Sequence, residues 1–337
     1  MTHGVGARRA LVSAVLAVVS LLSMGVGTAS AAAPPRYDHY VALGDSYTSG
    51  PFIPWMRLSP IGCARSTNNY PSWVASRLGI GDFTDVSCGG ADTTNMTKSQ
   101  SVPLFGTNSP QFAALNKDTD LVTIGIGGND YGVFGSVVNT CPTLRDSDPV
   151  GAPCQRHFTV NGVDTLLASI AKTEQNITEV VRQTRKLAPK AKVLLIGYPR
   201  IVPPTGYCPD ILPMADGDYR YLDSIERALN TAVANAAKAG GGTYVDTYGP
   251  SLGHDACAGD GAAWVQGKSF NLFAAFPYHP LKAGMVAEAA IIADLLTGQQ
   301  PSRARAEQAV RAAAGQRQPQ VNDVNTLTQL ARSLGQG

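Results

Sequence analysis

Short apolar segments alternate with longer amphipathic ones along most of this chain, and no other feature narrows its fold so far. Residues 40–43, 83–86, 121–126, 193–196 and 243–245 read as buried strands. Residues 70–78, 111–115, 162–187 and 219–239 read as helices, and Pro280 opens a last helix through Leu296, because proline is tolerated in a first turn. Strands separated by helices pair in parallel and are covered on both faces. The expectation is an α/β fold: a single-domain, flavodoxin-like three-layer sandwich with a central parallel sheet of about five strands. Folds of this kind bind ligands at the carboxyl ends of their strands, so the residues after each strand carry the search for chemistry.

The amino terminus reads as an export signal over residues 1–31. Arg8 and Arg9 supply a basic start, residues 10–26 an apolar run, and Ala29-Ser30-Ala31 a small-residue cleavage site. Ser13, Ser20, Ser23 and Gly25 interrupt that run and Pro34-Pro35 follows it, which argues against a retained anchor. A secreted, extracellular protein is expected, with one domain over residues 32–297. The remainder, 298–337, is rich in Gln, Arg, Ala and Ser and reads as a polar tail, solvated in preference to amphipathic helix.

The formal net charge of +2 offers no basic field for nucleic acid, and a monomer without cofactor is expected. Cys63, Cys88, Cys141, Cys154, Cys208 and Cys257 all lie in the exported part, an even number in an oxidising destination. Three disulfides are expected, with fifteen pairings open. Zinc is not expected: there is no Cys-x-x-Cys pair, and only His254 stands near a cysteine, Cys257.

The first strand ends as Tyr40-Val41-Ala42-Leu43-Gly44-Asp45-Ser46, which places a hydroxyl at a sheet edge. A competing serine lies in Gly249-Pro250-Ser251-Leu252-Gly253, which matches the nucleophile-elbow pattern. An elbow needs a following helix and further strands bearing an acid and a histidine, but a glycine-rich loop follows Ser251, so it reads as a turn. Strand two ends in Cys88-Gly89-Gly90-Ala91-Asp92-Thr93 and strand three in Gly127-Gly128-Asn129-Asp130; Phe276-Pro277-Tyr278-His279-Pro280 precedes the last helix. Gly125 before the third block suggests a phosphate loop, but G-x-G-x-x-G would need glycine where Asp130 stands.

These four blocks, in this order, resemble the GDSL or SGNH hydrolase family over residues 37–296, and the cysteine content is similar to its secreted bacterial lipases and esterases. The resemblance implies Ser46 as nucleophile and His279 as general base, in preference to His39, His157 or His254. It implies an oxyanion hole from the Ser46 amide, the Gly90 amide and the Asn129 side chain, with Gly89 the alternative because Ala91 blurs the register. The family commonly places aspartate three residues before the histidine, where this chain has Phe276. A main-chain carbonyl of Phe276 or Pro277 is expected to orient the ring instead, giving a catalytic dyad. Asp45 and Asp130 are expected to hydrogen-bond their own loops.

The function implied is a secreted serine carboxylic-ester hydrolase acting on fatty-acyl esters, phospholipids among them, with transient lipid-surface contact. Phe52, Ile53, Trp55, Tyr131 and Phe134, in the long connections 50–63 and 131–160, are expected to line an acyl site. Two alternatives stay open: an esterase for acetyl or aromatic groups on polysaccharide, and a secreted lipid- or carbohydrate-binding protein with a degenerate site.

Overall fold

The structure is a computed structural model that describes residues 36–103, 106–259 and 261–319, together with Met1. The leader proposed for 1–31 and the tail beyond 319 lie outside these residues. Five parallel strands form the central sheet: β1 (His39–Gly44), β2 (Asp82–Asp85), β5 (Leu121–Gly125), β8 (Lys192–Ile196) and β9 (Thr243–Val245). Their spatial order is β2-β1-β5-β8-β9. Two small antiparallel pairs stand apart, β3 (Gln100–Val102) with β4 (Gly106–Asn108), and β6 (Thr159–Val160) with β7 (Val163–Asp164). The helices are α1 (Ser46–Ser49), α2 (Tyr70–Leu78), α3 (Val133–Leu144), α4 (Pro153–Phe158), α5 (Thr165–Leu187), α6 (Asp218–Gly240), α7 (Lys282–Leu296) and α8 (Arg303–Ala313).

Strand alternation sorts the core into two layers. Val41, Leu43, Val122, Ile124, Val193 and Leu195 point to the layer filled by α5 and α6, where Ile177, Val181, Leu222 and Ile225 lie. Tyr40, Ala42, Leu121, Leu194 and Ile196 point to the opposite layer, filled by Trp73 and Val74 of α2 and by Met285, Ile291 and Ile292 of α7. Both faces of the sheet are thus dry, which is why the strands read as continuous apolar runs. The chain crosses from β2 past β1 to β5, so the order reverses between β1 and β5, in register from Tyr40 opposite Leu121 to Gly44 opposite Gly125. A crevice opens at that reversal, between the loops after β1 and β5.

Five expectations need correction. The expected helix 162–187 begins only at Thr165, capped by the Asp164 carboxylate, which accepts the Leu166 and Leu167 amides at 2.9 Å. Before it, Asn161 and Gly162, both at positive φ, close the β6–β7 hairpin, as an Asn-Gly pair does in a two-residue turn. Residues 111–115 make a single 3-10 turn, Gln111–Ala114, and the last helix starts at Lys282, because the preceding segment pairs with another: Pro280 bridges Val265. The connection 131–160 is not open loop; α3 and α4 occupy most of it. The start of the polar tail is a helix, α8, whose Ala306, Ala309 and Ala313 are buried against the α2–α7 layer while Arg305 reaches Asp294 on α7 at 2.7 Å.

The disulfides join neighbours in sequence: Cys63–Cys88, Cys141–Cys154 and Cys208–Cys257. The second ties α3 to α4. The first fastens the 50–63 connection to the segment after β2, where Gly90 lies.

Candidate active site

The end of β1 is packed so closely that only glycine fits at position 44. A Cβ there would meet Thr48 Oγ1 at 2.1 Å and the Gly125 carbonyl at 2.6 Å. Gln111, fully buried, closes the strand end by accepting the Gly44 amide at 2.7 Å and donating to the Gly44 carbonyl at 2.9 Å. Asp45 then caps α1, its Oδ1 accepting the Tyr47 amide at 2.8 Å, and Ser46 takes the first helical position.

His279 arrives from a distant segment. Residues 264–267 run beside 278–281: Tyr278 donates its amide to Gly267, the His279 carbonyl accepts from Gln266, and Leu281 donates to Trp264. The Tyr47 hydroxyl adds a bond to the Tyr278 carbonyl at 2.5 Å, and its ring packs 5.2 Å from that of His279. His279 Nε2 lies 2.8 Å from Ser46 Oγ, and Nδ1 lies 2.8 Å from the Pro277 carbonyl. A carbonyl can only accept, so Nδ1 carries the proton and Nε2 is free to accept from the serine hydroxyl. Of the two expected carbonyls, Pro277 faces the ring; that of Phe276 accepts the His279 main-chain amide at 3.2 Å. Burial holds the imidazole down at about 4, opposed by the Pro277 carbonyl.

Two loops supply donors. The Gly89 amide is committed to the Cys63 carbonyl at 2.8 Å and that of Ala91 to Cys88 at 3.1 Å. Among the described residues the Gly90 amide between them meets no hydrogen-bond acceptor, nor does that of Ser46. Gly90 sits at φ +76°, a left-handed conformation that glycine adopts without cost. Asn129 directs one N–H of its side-chain amide to the Ala91 carbonyl at 2.9 Å, which fixes the group and leaves its second N–H.

Of the two aspartates expected to bond their own loops, Asp45 does so and reaches further, whereas the Asp130 side chain bonds other segments instead. The Tyr198 hydroxyl donates to Asp45 Oδ2 at 2.6 Å and its oxygen accepts the Gly128 amide at 2.8 Å, so one tyrosine links the serine loop to the loop of Asn129. Burial pushes the Asp45 carboxyl up to about 7. Asp130 accepts the Thr93 amide at 2.9 Å, the Thr93 hydroxyl at 2.6 Å and Asn176 at 2.9 Å, which ties the second block to the third. Tyr198 escaped the sequence reading, although it follows β8 at the same sheet edge.

Two cavities meet at Ser46. One is a slot with about 80 Å³ of water-accessible room, running from Ser46 and Asn129 past Phe134, Val137 and Val138 to Met214, Leu222 and Leu229. The other is a mouth of about 540 Å³ lined by Phe52, Met56, Ile61, Gly90, Phe276 and His279. Phe134 borders both. Ile53, in contrast, is core; Trp55 is exposed; Tyr131 is exposed and carries Lys172 over its ring at 5.7 Å; none of the three lines either cavity.

The competing residues have other partners. Ser251 donates to the Tyr248 carbonyl and accepts the Arg200 amide, both at 2.9 Å, as a turn residue. His254 stacks on Trp264 at 4.0 Å and bonds Ala262 and Glu307. His39 faces Asp82, and His157 packs on Phe158.

Residues 42–287 match the model of the GDSL-like lipase/acylhydrolase family. Lipase 2 of Streptomyces coelicolor is 38% identical over 285 residues, 82% of this chain and 94% of that protein. Among solved structures, phospholipase A1 from Streptomyces albidoflavus superposes with a TM-score of 0.62 at 27% identity, over 77% of this chain and 99% of that one. The extracellular lipase of Streptomyces rimosus gives 0.58 at 27% identity with the same coverage. Matched by that family model over most of its length and by a 38% identical relative of nearly equal extent, the chain belongs to the GDSL-like lipase/acylhydrolase family of carboxylic-ester hydrolases.

Proposed function

We propose that the protein is a secreted esterase that cleaves fatty-acyl esters through an acyl-enzyme on Ser46, with His279 as its base. The observation that carries this reading is the hydrogen-bonded line from Ser46 Oγ through the His279 ring to the Pro277 carbonyl, set where two cavities meet. Ser46 Oγ attacks the ester carbonyl and its proton passes to Nε2. The carbonyl oxygen, now an anion, is held by the Ser46 and Gly90 amides and the free N–H of Asn129. Collapse breaks the bond to the alkoxy oxygen, which takes the proton from Nε2 and leaves as alcohol. Water then repeats the sequence on the acyl-enzyme, giving its proton to His279 and releasing the acid. The Pro277 carbonyl keeps the ring in one tautomer and faces the imidazolium as a dipole.

His279 lines the mouth and not the slot, so the leaving alcohol, which needs its proton, belongs in the mouth and the acyl chain in the slot. The slot walls are apolar and narrow, suited to a linear chain; an acetyl group would leave most of it unfilled. At the mouth, Ile61 and Phe276 are exposed, as is Phe270, which packs on Phe52 and Phe276. Phe276, Phe52 and Phe270 form a continuous aromatic set, with centroids 5.3 to 6.0 Å apart. That rim suits transient contact with a lipid surface. Three disulfides and the leader sequence support an extracellular destination, and the name of the Streptomyces albidoflavus enzyme supports phospholipids within the substrate range.

The test is Ser46→Ala against wild type, with p-nitrophenyl esters of increasing chain length, a triacylglycerol and a phospholipid. Turnover is expected to vanish in the variant with unchanged melting, and a phosphonate is expected to label only the wild type. Retained esterase activity in Ser46→Ala would remove the mechanism; a preference for acetyl over medium and long chains would remove the substrate class.

A further inference from the structure

The apolar slot contains a carboxyl group with one oxygen that neither the fold nor the ester chemistry accounts for. On α6, residues 222, 225, 226 and 229 follow the spacing of one helical face, and all four line the slot. Three are Leu222, Ile225 and Leu229; the fourth is Glu226. Its Oε1 has a structural task, accepting the Ile201 amide at 3.0 Å and so holding the turn after β8. Its Oε2 is buried and has no hydrogen-bond partner among the described residues. Asp45, the other carboxylate on the slot, differs: both its oxygens are engaged, by Tyr47 and Tyr198.

Asp223 and Arg200 act on the Glu226 carboxyl through space and the Val202 amide faces it, but none of them makes a hydrogen bond to Oε2. Arg200 points Nη1 to Asp223 at 2.9 Å and to the Tyr248 hydroxyl at 2.8 Å, and Asp223 also pairs with Arg227. Desolvation pushes the Glu226 carboxyl well above the ordinary carboxylate range, which favours the protonated form and its O–H. A buried polar atom without a partner destabilises the wall that contains it, and native structures retain few of them away from functional sites.

Resting on the reading of this slot as the acyl site, we propose that Glu226 is a polar anchor that selects acyl chains bearing a hydroxyl or oxo group partway along their length. A hydroxyl in the chain, which can both donate and accept, pairs with Oε2 and supplies the missing partner. An unsubstituted methylene chain fills the slot and leaves Oε2 unpaired. Selection arises from that difference, because a site built to bond a polar group discriminates against the analogue that lacks it.

The experiment uses p-nitrophenyl esters of one acyl length, in which a single hydroxyl is moved carbon by carbon along the chain, beside the plain chain. For each, kcat/KM is measured with wild type, Glu226→Gln and Glu226→Leu. One hydroxyl position is expected to exceed the others by about tenfold in wild type, the scale of one buried hydrogen bond. Glu226→Gln, which keeps an acceptor for Ile201 and an N–H to donate, retains that maximum. Glu226→Leu loses it and gains on the plain chain. Wild type with no position above the rest overturns the proposal, as does a maximum that survives Glu226→Leu. If Glu226→Leu fails to fold, the wild-type panel and Glu226→Gln decide. Failure here leaves hydrolysis of plain chains intact, whereas failure of the esterase reading abolishes turnover of every ester by Ser46, so the two are told apart.

Discussion

The acid limb of the pH profile follows from the surroundings of His279. The ring is 4% exposed, bonded at Nδ1 to the Pro277 carbonyl and at Nε2 to Ser46, with no carboxylate at either nitrogen. Burial disfavours the imidazolium and only a dipole opposes it, which places the group at about 4 against an ordinary 6.5. That separation corresponds to about 3 kcal/mol between the protonation states. At pH 5.5 an ordinary histidine would be neutral in only about a tenth of molecules, whereas this one is neutral in nearly all. The assay is kcat/KM between pH 4 and 9, with a soluble short-chain ester followed by product chromatography, since this ratio reports the free enzyme. Activity is expected to hold from neutrality to about pH 5 and to fall below it. Asp45, pushed up to about 7, changes charge within this range, so Asp45→Asn is measured alongside; it is expected to remove any step near neutrality and to keep the lower limb. The linkage has a matching sign: the unfolded chain binds this proton first, so stability present above about 6.5 declines as pH falls towards about 4, and His279→Gln flattens that decline. A limb centred at 6.5 or higher, with circular dichroism unchanged, would refute the reasoning.

Asn129→Ala removes a donor already aligned by the Ala91 carbonyl and is expected to lower kcat by about 100- to 1000-fold with KM little changed, read in steady-state kinetics. Tyr198→Phe deletes the hydroxyl shared by Asp45 and Gly128; it acts through the loop of Asn129, so about a tenfold loss in kcat without a change in KM is expected, and an equal effect on KM would count against a positioning role. Replacing Cys63 and Cys88 by serine opens a bridge of sequence separation 25 and is expected to cost about 3 to 4 kcal/mol in urea unfolding.

The strands could be read from the sequence because both faces of the sheet are covered, which turns each strand into an unbroken apolar run. The α8 helix could not: its buried stripe is Ala306, Ala309 and Ala313, whose small side chains permit close packing but add little to a hydrophobic pattern. Glycines and prolines in residues 131–160 masked α3 and α4, whose ends are joined by a crosslink that no local pattern records. At the site, Ser46, Gly90, Asn129 and His279 stood out because each follows a strand or precedes a helix in a block of glycines, prolines and polar residues. The acceptor behind His279 is main chain and has no letter of its own; Phe276 showed only where a carboxylate was missing. Tyr198 occupied an equally telling position after β8, but a tyrosine carries no chemistry that would single it out before its two hydrogen bonds are seen.

The unequal widths of slot and mouth bear on the fate of the acyl-enzyme. A chain held in the slot closes that side of Ser46, so whatever attacks next must come through the wide, aromatic mouth beside His279. Water has no structural privilege there. On the proposed mechanism, an alcohol with an apolar body would be concentrated by that aromatic rim, and His279 would deprotonate its hydroxyl as it would water. The two cavities together therefore describe an acyl donor site facing an open acceptor site, and the balance between acid and new ester is set by what the mouth holds when the first alcohol leaves.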